Sequence, residues 1–128
     1  MATAVKNART IVSSTSRSGG AAATRGRLDL QTALGGIVTF KITNNGTLGA
    51  QCEGRILIAH NDTMPAAASA GTDWKTVYKV GNGLVNGTVG EWSYTFGPEV
   101  MSLEIEFEGN TSNSCTVEAF ASEITSIS

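Results

Sequence analysis

Histidine occurs once, cysteine and proline twice each, and charged residues make up only 16% of this 128-residue chain. Each shortage excludes something. Any mechanism that needs an imidazole base must run through His60, the sole histidine. Asp62 follows two residues later and serines abound, but no G-x-S-x-G elbow frames a nucleophile. His60 reads as a hydrogen-bonded turn residue at a strand end, and the chain is not expected to be an enzyme. Two cysteines far apart in sequence, Cys52 and Cys115, cannot supply a zinc site of known spacing. Asn61-Asp62 and Gly71-Thr72-Asp73 offer oxygens without the spacing of a calcium loop. Gly81-Asn82-Gly83 is a lone G-x-G with no helix after it, so no phosphate loop is read there. No cofactor and no metal is expected.

No run approaches the ~18 apolar residues of a membrane-spanning helix, so no membrane association is expected. Met1–Val5 leads into charged and polar residues rather than an apolar signal core, which predicts synthesis in a reducing cytosol. Cys52 and Cys115 then read as buried thiols, with a disulfide as the alternative. The low charge is made up by Gly, Ala, Ser, Thr and Asn. A surface of that kind solubilises a lone monomer weakly and loses little side-chain entropy when covered, which suits packing against copies or partners.

The net charge of −2 conceals a division. Up to Arg27 there are five basic residues (Lys6, Arg9, Arg17, Arg25, Arg27) and no acidic one. From Leu28 onward four basic residues face eleven acidic ones, giving −7. Residues 1–27, with a Ser/Gly/Ala/Thr centre and no amphipathic period, read as an extended basic arm, and residues 28–128 as the folded domain. Ile11 and Val12 could add a short strand to another sheet's edge. An acidic body disfavours nucleic acid as a partner.

From Leu28 the pattern is of short alternating segments separated by turns. Val38, Phe40 and Ile42 share one face, Asn44-Asn45-Gly46 signals a turn, and Cys52, Ile56 and Ile58 share the next parity. A loop without period runs from His60 through Gly71, and a strand follows over Trp74–Val80. Trp92, Tyr94 and Phe96 alternate as a core face does. The clearest strand has Met101, Leu103, Ile105 and Phe107 inward and Ser102, Glu104, Glu106 and Glu108 outward; Cys115, Val117, Ala119 and Ala121 close the set. About seven or eight antiparallel strands without a helix predict an all-β fold, a jelly-roll or immunoglobulin-like β-sandwich.

The Glu104/Glu106/Glu108 row reads as a solvent face, or as the receptor for arginines of a neighbouring copy's arm. Lys6, Arg9, Arg17, Arg25 and Arg27 are the corresponding partner-binding candidates. Trp74, at a loop–strand junction between Asp73 and Lys75, is the candidate exposed aromatic for ligand stacking.

Three stretches carry a resemblance: Leu28-Asp29-Leu30 through Gly35–Asn44, the block Ala70-Gly71-Thr72-Asp73-Trp74-Lys75, and Glu104–Thr111 with Thr116-Val117-Glu118-Ala119. Over about a hundred residues the chain resembles small virion proteins of tailed bacteriophages. The resemblance implies a capsid decoration (cement) subunit of jelly-roll or related fold, commonly trimeric, bound to the major capsid protein or another virion protein. Tail and head–tail connector subunits share the composition. A carbohydrate-binding or adhesin module is the alternative from another class.

Overall fold

The computed structural model describes residues 3–67 and 73–128. Eight strands follow in order: β1 (Ala4–Arg17), β2 (Thr24–Asp29), β3 (Gly36–Asn44), β4 (Glu53–Ala59), β5 (Lys75–Gly81), β6 (Val89–Phe96), β7 (Ser102–Glu108) and β8 (Cys115–Ile127). They form two four-stranded sheets, sheet A in the order β1-β8-β3-β6 and sheet B in the order β2-β7-β4-β5. All pairings are antiparallel, and they nest: β1 with β8, β2 with β7, β3 with β6, β4 with β5. The β3–β8 and β4–β7 pairs complete the two sheets. Such nesting is a long hairpin rolled up on itself, the jelly roll.

Period-two sequences make these strands because alternate side chains point to opposite faces. Val38, Phe40 and Ile42 of β3 and Val117 and Ala119 of β8 meet Ile56, Leu103, Ile105 and Phe107 of sheet B in a fully buried core. Bulk is matched across strands: Phe40 lies opposite Ala119, and Val38 opposite Ala121. The Phe40 ring stacks on Trp92 at 5.4 Å and meets Phe107 edge-on at 5.9 Å. A Cβ on Gly54 would strike that ring, which is why β4 carries glycine there. Tyr78 of β5 and Tyr94 of β6 stack at 6.0 Å where two edge strands of the opposed sheets meet. The core parity read for Trp92, Tyr94 and Phe96 agrees with this packing.

Two expectations change. Residues 3–27, most of the stretch read as an extended basic arm, carry β1 and β2 of the sandwich in this structure. Ala4–Arg17 is extended, but it is an edge strand of sheet A paired with the chain's own β8, and Thr24–Asp29 pairs with β7. The physical reason is that β8 runs on to Ile127 and offers a long, unpaired edge that β1 satisfies. Register shifts after Val5, Thr10 and Val12 kink β1, which discourages further pairing on its free side. The glutamate row of β7 does point away from the sandwich core, but it is not a solvent face: Glu104 is 0% exposed and Glu106 4%.

Candidate interaction surface

The outer face of sheet B carries a network of ion pairs. Register sets Arg27 and Leu57 beside Glu104, Arg25 and Arg55 beside Glu106, and Glu53 beside Glu108. Arg25 Nη1 bonds Glu104 Oε1 at 2.8 Å and also pairs with Glu106. Arg55 joins Glu106 at 3.2 Å and Glu108 at 2.7 Å, and Lys79 joins Glu53 at 3.3 Å. Burial opposes the charged form of Arg25, but its bond to Glu104 and the Glu106, Glu104 and Glu108 charges outweigh that and raise its pKa. Burial likewise dominates at Glu106 and raises its carboxyl, although Arg25 and Arg55 pull the other way.

The β4–β5 loop touches the same face beside this network. Arg27 Nη1 reaches Pro65 O at 2.7 Å, and Trp74 donates to Ala66 O at 2.9 Å while packing on Leu57, Ala59 and Met64. Trp74 is 4% exposed, so the exposed stacking platform expected at this residue is a small outer core instead. Ala70, Gly71 and Thr72 of the block around it lie outside the described residues.

The charged candidates therefore divide. Arg25, Arg27, Glu104, Glu106 and Glu108 find partners within the chain. Arg9 pairs with Glu123 at 2.9 Å, with much of its own side chain still exposed. Lys6 is exposed on the β1 edge. Arg17 is buried, and its guanidinium bonds Asn110 Oδ1, Ala22 O, Ala21 O and Thr24 Oγ1. His60 is exposed just after β4.

The outer face of sheet A is different. Thr10, Phe120, Thr39 and Ser93 form one row across it, with Phe120 exposed and the Thr39 and Ser93 hydroxyls bonded at 2.7 Å. Lys41 and Glu118 neutralise each other at 4.0 Å on the same face.

The least ordinary surface is the end where four connections gather: residues 18–23, 45–52, 82–88 and 109–114. None of these loops contains a charged residue. Their order comes from polar side chains turned inward. Asn44 Nδ2 donates toward the carbonyls of Asn82, Gly83 and Val85, at 3.0 Å for the last. Asn82 Nδ2 donates to Ile42 O, Thr88 O and Asn44 Oδ1. Asn110 Nδ2 donates to Arg17 O and Asn113 O, and Asn113 ties Thr47 O at 2.6 Å. Backbone bonds Leu48 N to Leu84 O and Gly87 N to Asn44 O complete the clamp on the β5–β6 loop. Gly83 and Gly87 take φ of 71° and 80°, which glycine alone adopts without cost, so the loop turns tightly over Asn44. What faces solvent is apolar: Leu84 at 46%, Val85 at 70% and, at the start of β6, Val89 at 55%.

Beneath lie Cys52 and Cys115, both fully buried and free, with the Cys115 thiol directed at Asn44 Oδ1 at 3.5 Å. Burial pushes the Cys52 thiol up to about 12 and raises that of Cys115. Sequence reading marked Asn44 and Gly81-Asn82-Gly83 as turns but passed over this end as a surface. The signal available was the absence of charge in all four connections of this end.

Neither a protein-family profile nor a curated protein matches the chain. Solved structures do match in fold. A structure of the infectious bursal disease virus Gx strain aligns over 95% of this chain at 16% identity and a TM-score of 0.53, and the VP2 subviral particle of that virus aligns over 94% at 13% and 0.53. In both cases this chain spans about a third of the viral chain (32%). A carbohydrate-binding module from a family 9 glycoside hydrolase, Cel9A of Ruminococcus flavefaciens, aligns over 91% of this chain and 97% of its own at 12% identity and 0.51. At these identities the likeness is one of fold: a jelly-roll sandwich of the kind used in viral particles and in binding modules.

Proposed function

We propose that this chain is a structural subunit of a virion, of the capsid-decoration (cement) type, which attaches to the major capsid protein or another virion protein and to copies of itself. The observation that carries this reading is the charge-free loop end, where amides and a guanidinium are turned inward and Leu84, Val85 and Val89 outward. Covering such a surface desolvates no charge and immobilises no long side chain, so contact there is favourable from a small area. The uncharged row on sheet A provides a second contact face, and Lys6 and Arg9 on the β1 edge remain the basic residues best placed for an acidic neighbour. Many such contacts on a lattice hold by multivalency. The jelly-roll likeness to the bursal disease virus structures supports the reading.

Cross-linking mass spectrometry of native particles, together with occupancy of Val85→Asp and Phe120→Asp variants, tests it. The expected result is cross-links from Lys6 or Lys41 to another virion protein and loss of occupancy in at least one variant. A wild-type chain absent from purified particles would sink the proposal.

A second reading, a carbohydrate-binding or adhesin module, draws on the fold of the Cel9A module and on exposed Phe120 amid Thr10, Thr39 and Ser93. Glycan-array binding that disappears in Phe120→Ala would favour it over the first.

A further inference from the structure

Asparagine stands directly before glycine at three positions, Asn45-Gly46, Asn82-Gly83 and Asn86-Gly87, and all three lie in the charge-free connections of the loop end. That dipeptide has a chemistry of its own. The glycine amide nitrogen closes a succinimide ring on the asparagine Cγ most readily here, because no Cβ on the glycine crowds the approach. Ring closure needs a carboxamide free to turn and a glycine N–H free of its partner.

The structure restrains the three pairs unequally. Asn82 is buried, and its Nδ2 donates to Ile42 O, Thr88 O and Asn44 Oδ1. Gly83 N donates to Gln51 Oε1 at 3.0 Å, so both halves of that pair are held. Asn45 and Asn86 are exposed. The Asn45 carboxamide donates to the surface hydroxyls of Ser114 at 3.2 Å and Thr116 at 3.0 Å, while Gly46 N has no partner among the described residues. Asn86 reverses this: its carboxamide has no partner among the described residues, and Gly87 N donates to Asn44 O at 3.0 Å.

We infer that the loop end is a site of spontaneous amide hydrolysis at Asn45 and Asn86, with Asn82 protected, and that it gains negative charge as the protein ages. The glycine nitrogen attacks the asparagine Cγ. The new N–Cγ bond replaces the bond from Cγ to Nδ2, which leaves as ammonia carrying the glycine N–H proton. Water then opens the ring at either carbonyl and gives aspartate or isoaspartate. At Asn45 and Asn86 only one half of the pair must be released, a local opening of a surface loop. At Asn82 three side-chain bonds and the Gly83 N–H bond must open together, and a buried side chain must move. The products matter because of where they form. Leu84 and Val85 stand exposed just before Asn86, and none of the four connections carries a charge. A carboxylate added there must be desolvated whenever the end is covered. This last consequence rests on the structural-subunit reading; the conversion itself does not.

Ageing the full chain in mildly alkaline buffer, native and in urea, with peptide mapping by mass spectrometry, tests the inference. In urea all three asparagines should convert at similar rates, since each precedes glycine. In the native protein Asn45 and Asn86 should convert at least about tenfold faster than Asn82. Native Asn45 and Asn86 still intact when the denatured chain has converted fully would overturn the inference, and so would Asn82 keeping pace with them. Particle occupancy is read in parallel for two doubly substituted chains, both checked for unchanged far-ultraviolet circular dichroism. N45D/N86D should occupy particles about tenfold less than N45Q/N86Q, which carries no added charge. Equal occupancy of the two removes the effect of ageing on contact. A wild-type chain absent from particles instead removes the structural-subunit reading and leaves the conversion standing.

Discussion

The outer face of sheet B and the loop end solve opposite problems. On the sheet, Arg25, Glu104, Glu106, Arg55 and Glu108 form a chain of ion pairs, so the charges answer one another and little is left to offer outside. At the loop end no charged side chain occurs in the connections, the amides face inward, and the apolar groups face water. One region neutralises its polarity within the sheet, and the other inverts the usual arrangement of polar outside and apolar inside. Burial of charge therefore identifies structure here, and its absence identifies a surface kept for contact.

The largest expected effect breaks the first half of that contrast. Arg25→Ala leaves the buried carboxylate of Glu104 without its 2.8 Å partner, and urea unfolding should show a loss of about 3–5 kcal/mol, the cost of an uncompensated buried charge. A loss below about 1 kcal/mol, typical of exposed pairs, would place the glutamate row in solvent after all.

Next comes the clamp. Asn82→Ala strips partners from Ile42 O, Thr88 O and Asn44 Oδ1 and should cost about 2–3 kcal/mol. Amide exchange should quicken in residues 82–88 more than in β7. Equal quickening everywhere would mean that the β5–β6 loop is not a unit held by these amides.

The thiols beneath the clamp give a pH signature. Cys52 is protonated in the fold until about pH 12, whereas an unfolded cysteine ionises near pH ~8.5. The unfolded state then binds fewer protons, so stability falls as pH rises through that window, by up to about 1.4 kcal/mol per pH unit from this thiol. Cys52→Ala should flatten the alkaline limb of a stability-against-pH curve. In native protein at pH 8 both thiols should resist a disulfide reagent that titrates them fully in denaturant.

The smallest effect sharpens the second half. Val85→Ser, at a position 70% exposed, should change unfolding free energy by no more than about 0.5 kcal/mol while weakening particle occupancy. A large stability loss would mean that Val85 belongs to the fold rather than to a contact surface.

Alternation made most strands from Leu28 onward legible, because each of them has a core-facing side that repeats every second residue. β1 was not, for a physical reason: as an edge strand at the rim it buries only Val12 and Arg17 among fourteen residues, which leaves no period to read. The parity of Glu104 and Glu106 gave their direction correctly but carried no sign of Arg25 and Arg55 arriving from β2 and β4. Trp74 looked exposed for the same reason, since Leu57 and Met64, which cover it, lie on other segments. Asn44 and Asn82 were recognisable as turn formers, yet the carbonyls they hold are some forty residues away in sequence. Local pattern reveals which way a side chain points; what meets it there is a property of the rolled topology.

That topology also sets how the molecule must form. Only the β4–β5 pair is close to local, and each outer pair joins segments farther apart, until β1 meets β8 with Ala4 opposite Ile127. Loop-closure entropy must be overcome before these distant contacts repay it, so refolding on the millisecond-to-second scale of high-contact-order proteins is expected, with the β1–β8 seam as the natural last step. An intermediate lacking that seam would expose the β8 edge, and the speed of its closure would decide between a correctly sealed subunit and an aggregate.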